Sequence, residues 1–212
     1  MKRKLNLFFR RLYSSFGKQR WWPADSPFEV MVGSILTQNT SWANVEKAIL
    51  ALKNKKLLEP GKIYKMGPRK LALLIKSAGY YNIKARRLKN FLKFYFDNYN
   101  FSIEKISQVN LQSLRKQLLA VNGIGQETAD SILLYALNKP VFVVDSYTKR
   151  ILSRHGVVKE DADYLEIQDI FMRNLKKDVR IFNEYHALLV KLGKDYCLKK
   201  NPKCGECPLD GQ

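Results

Sequence analysis

Apolar residues recur at spacings of three and four along most of the chain, which is the period of amphipathic helices. The first such segment, residues 5–16, places Leu5, Phe8 and Leu12 on one face and basic residues on the other. Equivalent patterns predict helices over residues 27–38, 42–52, 69–77, 83–96, 111–121, 126–138, 147–154, 167–175 and 181–192. No internal repeat or long linker interrupts them. The sequence therefore predicts an all-α protein.

One apolar run does not follow the helical period. Residues 141–144, VFVV, could form a short β-strand by composition. In an otherwise helical chain, a four-residue run that ends at Asp145 is better interpreted as a buried extended linker. Ser146 is then the candidate cap of the next helix, as Asp25 or Ser26 is for the helix that begins at Pro27.

The balance of charge points to a polyanionic partner. Of 212 residues, 38 are Lys or Arg and 19 are Asp or Glu, which gives a net charge of +19 spread over the whole chain. Binding to nucleic acid is favoured because each neutralised phosphate releases a counterion. A merely soluble basic surface and an acidic membrane surface are the weaker alternatives. The N-terminus lacks the features of a signal peptide, so we expect a cytoplasmic, nucleoid-associated protein.

Two polar or aromatic clusters are open to a structural and a functional interpretation. Trp21-Trp22-Pro23 is more simply a core plug between subdomains than the aromatic wall of a base pocket, and Pro23 favours an extended Trp22. Residues 37–40, Thr-Gln-Asn-Thr, form either a capped turn or a loop that pushes an amide side chain into a duplex.

A tight turn at Asn122-Gly123-Ile124-Gly125 joins two predicted helices. Glycines allow backbone angles that are closed to other residues, so successive N–H groups can converge at the N-terminus of the second helix. Such an arrangement binds an anion without regard to base sequence, while Ile124 packs back between the helices. A helical hairpin that uses the two glycines only for packing is the alternative.

The run VNGIGQETADSILLYALNKPVFVVDSYTKRIL resembles the helix-hairpin-helix, Gly/Pro-rich loop and aspartate signature of the endonuclease III superfamily of DNA glycosylases. The resemblance extends over nearly the whole chain. It implies a two-lobed all-α fold, with a six-helix barrel at residues 25–139. The second domain combines residues 1–24 with residues 140–212, which include a terminal cysteine loop. The implied molecule is a monomer that excises a base from damaged double-stranded DNA in the cleft between the lobes.

Two acidic residues acquire roles from this resemblance. Asp145 matches the aspartate that assists departure of the damaged base, although a structural aspartate that caps the following helix remains an alternative. Glu127 stands where bifunctional members carry a lysine that forms a Schiff base. A carboxylate cannot form an imine, so the resemblance implies a monofunctional, hydrolytic glycosylase in which Glu127 shapes the pocket.

Four features are similar to those of the 3-methyladenine DNA glycosylases within the superfamily. They are Glu127, Trp21-Trp22-Pro23, residues 36–40 and Gly79-Tyr80-Tyr81-Asn82. This similarity implies an alkylated purine substrate stacked on Trp21, Trp22 and Trp42, and it makes Gln38 the residue that fills the gap in the duplex. The remaining DNA contacts that it implies are Asn39, Gly123, Ile124, Gly125, Thr128 and Lys149. The alternatives are an endonuclease III-like enzyme for oxidised pyrimidines or mismatched bases, and a non-catalytic helix-hairpin-helix DNA-binding protein.

The three cysteines all lie near the C-terminus. The spacing Cys197-x6-Cys204-x2-Cys207 agrees with the first three ligands of the superfamily's 4Fe-4S cluster. The fourth ligand would fall at position 213, beyond Gln212. Either that ligand lies beyond the given sequence, or the site is degenerate, or Asp210 or an outside group substitutes for it. A zinc ion held by three thiolates and one oxygen is a minor alternative.

Overall fold

The computed structural model describes residues 1–211, and all regular secondary structure within them is helical. The predicted all-α class is confirmed. In chain order the α-helices are α1 (Lys2–Phe16), α2 (Pro27–Leu36), α3 (Trp42–Asn54), α4 (Pro60–Lys65), α5 (Pro68–Leu74), α6 (Tyr81–Tyr99), α7 (Ile103–Gln108), α8 (Leu111–Leu119), α9 (Gln126–Ser131), α10 (Ser146–Arg154), α11 (Tyr164–Asn174) and α12 (Val179–Asp195). A π-helical segment, Ile132–Ala136, continues α9. None of the described helices combines the length and the apolar content that crossing a bilayer requires.

The chain forms two compact units. The central unit is the continuous segment Ala24–Leu137. The terminal unit combines Met1–Pro23 with the chain from Asn138 onwards. Two distant stretches of sequence therefore share one core in the terminal unit.

Helix α2 lies at the centre of the central unit's core. Every residue from Phe28 to Leu36 is buried, so the helix is covered on all sides rather than along one stripe. Pro27 occupies the first turn, and the Ser26 hydroxyl accepts a hydrogen bond of 3.2 Å from the amide of Glu29. Ser26, rather than Asp25, is the cap. The helix ends at Leu36, two residues before the predicted end, and this releases Thr37 and Gln38 into a loop.

The terminal unit is built around α12. Helix α1 buries Leu5, Phe8 and Leu12, and the hydroxyl of Tyr185 on α12 donates to the Leu5 carbonyl at 2.8 Å. Helix α10 packs along the same helix. Residues 141–144 are buried and form no regular secondary structure, as expected of a buried linker.

Three further details differ from the sequence-based expectations. Helices α4 and α7 fall in segments for which no helix was predicted, because six residues show too little of the helical period. The predicted helix 126–138 changes to π-helical geometry at Ile132. The prediction that Ser146 caps α10 was wrong: Asp145 is the N-cap, because its longer side chain reaches the Thr148 amide, and Ser146 is the first helical residue.

Candidate functional site

The hairpin turn between α8 and α9 contains two glycines, which differ in backbone conformation and in surroundings. Gly123 has φ +97°, and a methyl group there would lie 2.2 Å from Cγ of Arg87. Gly125 has an ordinary extended backbone, with φ −91° and ψ 178°, and no heavy atom within 4 Å of an added methyl group. The fold therefore requires glycine at 123, whereas position 125 is open on the side of its missing side chain.

Ile124 contributes to this turn through packing. Its side chain is buried, and its N–H donates to the Val121 carbonyl at 3.0 Å. The predicted packing of Ile124 between the helices agrees with this position. Neither its side chain nor its N–H points to an outside ligand.

The side-chain amide of Gln38 is bonded to the hairpin through its nitrogen and to α6 through its oxygen. Its Nε2 donates to the Gly123 carbonyl at 3.0 Å and to Oγ1 of Thr128 at 2.9 Å. Its Oε1 accepts a hydrogen bond from Nη1 of Arg87. The next residue, Asn39, is exposed and has φ +53°, so the loop turns sharply immediately after Gln38. The loop of residues 37–40 and the hairpin turn thus form one hydrogen-bonded structure.

One face of α6 organises this region through residues at every third position. Nζ of Lys84 is buried and donates to the carbonyls of Leu36, at 2.8 Å, and Ala78, at 2.7 Å. Arg87 contacts Gly123 and Gln38, and Nδ2 of Asn90 donates to the Asn122 carbonyl at 3.0 Å. Burial, and the nearby charge of Arg87, lower the pKa of Lys84 to about 8.

An ion pair holds the two hairpin helices together. Arg115 on α8 binds the carboxylate of Asp130 on α9 with two parallel hydrogen bonds, at 2.7 and 3.0 Å. The Asp130 side chain is fully buried. Bidentate geometry of this kind fixes both the distance and the orientation of the helices.

The other predicted residues of the central unit differ in exposure. Glu127 is exposed in the first turn of α9, and the neighbouring Thr128 is buried because its hydroxyl faces Gln38. Trp42, the first residue of α3, is half-buried. These positions place a carboxylate, and not an amine, at the start of the second hairpin helix.

Asp145, in the terminal unit, uses its two carboxylate oxygens differently. Oδ1 accepts a hydrogen bond of 2.7 Å from the Thr148 amide and so caps α10. Oδ2 lies 3.6 Å from Nε2 of His186, and only 12% of the Asp145 side chain is exposed. The aspartate is therefore a structural cap that still has one oxygen available for chemistry.

Trp21 and Trp22 lie near His186, the histidine that approaches the carboxylate of Asp145. The Trp21 ring meets the rings of Trp22 and His186 edge to face, with centroids 6.3 and 5.9 Å apart. Trp22 has φ +59°, so the expectation of an extended Trp22 was wrong. The carboxylate of Glu184 on α12 accepts from the Gln19 amide at 2.7 Å, and this bond holds the segment against α12 despite the strained backbone.

Helix α10 is fixed against α12 by a close approach. A methyl group at Gly193 would lie 2.4 Å from the Tyr147 ring. Arg150 donates to the carbonyls of Gly193, at 2.9 Å, and Cys197, at 2.8 Å. The position of Asp145 at the start of α10 thus depends on contacts made along the helix, where Lys149 is half-exposed.

His186 is the residue of this region that the sequence did not reveal. It stands at a buried position of α12, among residues that the helical period already assigns to the core. Burial lowers its pKa, which the charge of Asp145 partly offsets. The only signal in the sequence is a polar residue on an apolar face, and that pattern alone does not identify its neighbour.

The three cysteines border one cavity of about 110 Å³ near the end of the chain. Nη1 of Arg154 lies 3.3 Å from Sγ of Cys197, and the Leu209 amide lies 3.4 Å from Sγ of Cys207. Burial raises the pKa of the Cys207 thiol. Within residues 1–211, however, no three Cys, His, Asp or Glu side chains converge closely enough to hold a metal ion. Asp210, the candidate substitute ligand, borders the same cavity.

Comparisons with known proteins agree with this architecture. Residues 32–177 match the HhH-GPD superfamily of base excision DNA repair proteins. The "Putative DNA repair glycosylase" of Methanocaldococcus jannaschii is 52% identical over 203 residues, which cover 95% of this chain and 91% of that protein. Endonuclease III of Thermotoga maritima is 31% identical over 187 residues, which cover 86% and 80%. The chain belongs to the HhH-GPD superfamily and is a DNA glycosylase of that superfamily.

Solved structures extend the comparison to the fold. An H. pylori 3-methyladenine DNA glycosylase bound to 1,N6-ethenoadenine superposes with a TM-score of 0.78 at 30% identity, covering 91% of this chain and 96% of that one. A covalent complex of endonuclease III with DNA gives 0.84 at 23% identity, covering 99% and 93%. The predicted glycosylase fold and the resemblance to the endonuclease III superfamily are both confirmed.

Proposed function

We propose that this glycosylase is monofunctional and hydrolyses the N-glycosidic bond of an alkylated purine, such as 3-methyladenine, flipped out of double-stranded DNA. The observation that carries the proposal is a pair of acidic side chains, which stand where members of the superfamily have the catalytic aspartate and the lyase lysine. Asp145 offers one oxygen in a nearly buried setting, and α9 presents the carboxylate of Glu127 where a lyase needs an amine. The 30% identical H. pylori enzyme, named for 3-methyladenine, supports the choice of substrate.

The chemistry assigned to Asp145 follows from charge. When the glycosidic bond breaks, its electron pair leaves with the base and positive charge develops on the deoxyribose. A desolvated carboxylate stabilises that charge or accepts a proton from the attacking water. Because Oδ1 is already bonded to the Thr148 amide, Oδ2 performs this role. An alkylated purine is cationic and needs no further acid to leave, so one carboxylate is sufficient.

Binding roles follow the family resemblance and the structure of the loops. Trp21, Trp22 and Trp42 stack on the cationic base. Gln38 fills the gap that the flipped nucleotide leaves, and Asn39 lies beside it. A backbone phosphate is bound at Gly123 and Gly125, with Thr128 in the first turn of the helix α9 that follows them. Lys149 adds positive charge on α10. The open space at Gly125 supports close approach of a phosphate.

We further propose that Cys197, Cys204 and Cys207 hold a 4Fe-4S cluster with a fourth ligand. Their shared cavity supports this proposal, as do the N–H groups that approach Cys197 and Cys207, because such hydrogen bonds stabilise cluster sulfurs. Iron and sulfide analysis of anaerobically purified protein tests it. A colourless protein with stoichiometric zinc would instead support a zinc site.

Base release from methylated and oxidised duplexes, with borohydride trapping in parallel, tests the function. We expect release of 3-methyladenine, no trapped adduct and loss of excision in Asp145→Asn. A trapped adduct would overturn the monofunctional assignment, and undiminished release by Asp145→Asn would overturn the role of that residue.

The second candidate is an endonuclease III-like activity on oxidised pyrimidines or mismatched bases. The 31% identity with Endonuclease III of Thermotoga maritima favours it. Release of an oxidised pyrimidine with no release of methylated purines would decide for this candidate. Tight duplex binding with no release of any base would decide for a non-catalytic binder.

A further inference from the structure

A histidine outside the family motif faces the one oxygen of Asp145 that the helix cap leaves available. Nε2 of His186 lies 3.6 Å from Oδ2, and the His186 side chain is 6% exposed. We propose that His186 is a positioning residue for Asp145: its imidazole holds Oδ2 in a fixed orientation. This inference rests on the proposed role of Asp145 in base excision.

The geometry gives the two oxygens separate anchors. The Thr148 amide holds Oδ1 at 2.7 Å, which fixes the carboxylate at one point but leaves it free to rotate about that bond. A second contact at Oδ2 removes the rotation. A shift of less than about 1 Å converts 3.6 Å into an N–H···O hydrogen bond, and active-site hydrogen bonds commonly shorten when substrate binds.

Packing alone does not require a histidine at position 186. Its ring lies edge to face with Trp21, at 5.9 Å, and with Phe142, at 6.4 Å. A phenylalanine would make comparable edge-to-face contacts there, and burying a polar ring costs free energy that an apolar ring does not. The imidazole adds a polar atom directed at the carboxylate.

Charged and polar groups on α12 and on the helices that pack against it are bonded to other atoms. On α12, Glu184 accepts from the Gln19 amide and the Tyr185 hydroxyl donates to the Leu5 carbonyl. On α1, Lys4 donates to the His155 carbonyl at 2.8 Å, and on α10, Arg150 donates to carbonyls near the end of α12. In the ion pair that the described residues form at His186, the charged partner within 4 Å is Asp145.

Burial and the nearness of Asp145 make the protonation state of His186 matter for catalysis. Desolvation lowers its pKa, so the imidazole is neutral at neutral pH. When acid converts it to the imidazolium, the new positive charge neutralises Asp145 and weakens the stabilisation of positive charge on the sugar. Excision should therefore fall on the acid side as His186 becomes protonated.

Single-turnover excision by His186→Phe and His186→Gln, on whichever damaged duplex the wild type cleaves, tests the proposal. We expect His186→Phe to lower the rate of the chemical step on the order of 10- to 100-fold with unchanged duplex affinity. His186→Gln, which keeps a neutral hydrogen-bonding group, should recover much of the rate and lose the histidine component of the acid limb. A folded His186→Phe with the wild-type rate and pH profile would overturn the proposal.

A second measurement does not depend on activity. NMR titration of the His186 ring in the wild type and in Asp145→Asn reports the interaction directly. We expect the pKa of His186 to be lower in Asp145→Asn, because the carboxylate that favours the imidazolium is gone. Identical titrations would overturn the pairing. If the wild type excises no base while the titrations differ, the proposed function fails and the contact between the two residues stands.

Discussion

The side chain of Arg87 lies against the backbone of Gly123 so closely that a methyl group at position 123 would come within 2.2 Å of its Cγ. The same arginine bonds to Gln38, whose amide bonds back to the Gly123 carbonyl. One residue of α6 therefore sets both the hairpin turn and the neighbouring loop.

The two hairpin glycines should respond differently to alanine. Gly123→Ala introduces both a clash and a left-handed alanine, so we expect a loss of about 2–4 kcal/mol in the free energy of unfolding. Gly125→Ala meets no atom within 4 Å, so its stability should stay within about 0.5 kcal/mol of the wild type.

Duplex binding separates the structural glycine from the proposed phosphate contact. We expect Gly125→Ala, although stable, to lower the affinity for undamaged duplex at least about tenfold, because the added methyl group occupies the space through which a phosphate approaches the backbone. Urea unfolding and fluorescence anisotropy measure the two quantities. Unchanged affinity in Gly125→Ala would remove the turn from the proposed DNA contacts.

Gly193→Ala should impair excision without touching the substrate. The added methyl group would meet the Tyr147 ring at 2.4 Å and push α10, and with it Asp145, away from α12. We expect a loss of about 1–3 kcal/mol in stability and an excision rate reduced on the order of 10- to 100-fold in protein that remains folded. Gly61→Ala, whose new methyl group meets nothing within 4 Å, is the matched control.

Lys84 should make the stability depend on pH in the alkaline range. Its pKa is about 8 in the folded protein and 10.5 when exposed, so between these values the unfolded chain binds more protons. Stability therefore rises with pH across this window, by about 1.5 kcal/mol from pH 8 to 9.5 for this group alone.

The variant Lys84→Met isolates that contribution. We expect its free energy of unfolding, measured by urea at several pH values, to rise less steeply than that of the wild type. Lys70→Met, at an exposed position of α5, should keep the wild-type slope. Parallel slopes for Lys84→Met and the wild type would contradict the assignment.

The ion pair of the hairpin offers a test of buried charge. Arg115→Met leaves the fully buried Asp130 carboxylate without its bidentate partner, at a cost of about 3–5 kcal/mol. The double variant Arg115→Met with Asp130→Leu should recover part of that loss, since it removes the isolated charge as well. A double-mutant cycle by urea unfolding measures the coupling, and additive losses would show that the pair does not act as a unit.

Sequence periodicity predicted most helices because their apolar stripes are set by the chain itself. It did not predict α4 or α7, which have six residues each and are too short to show a period, nor the π-helical segment after α9, which the same apolar pattern suits equally well. The cap of α10 was assigned one residue too late, because serine and aspartate stand side by side and both are good caps.

The candidate site likewise contains residues that the sequence reveals and contacts that it does not. Asp145, Glu127 and the two glycines are visible in the sequence because they form a local motif. Contacts between residues far apart in the chain are not visible: Gln38 meets Gly123 across 85 positions, and His186 meets Asp145 across 41. Such contacts depend on how the helices pack, and no local pattern records them.

The division of the terminal unit between both ends of the chain has a consequence for synthesis. The central unit is one continuous segment, so its core is complete before α10 to α12 leave the ribosome. Helix α1 is made before α12, and its apolar face is covered only when α12 has been made. At about 5–20 residues per second, synthesis from the end of α1 at Phe16 to the end of α12 at Asp195 takes on the order of 10 to 35 seconds. The nascent chain thus holds the hairpin well before it holds the helices around Asp145, and α12 does not cover the apolar face of α1 in that interval.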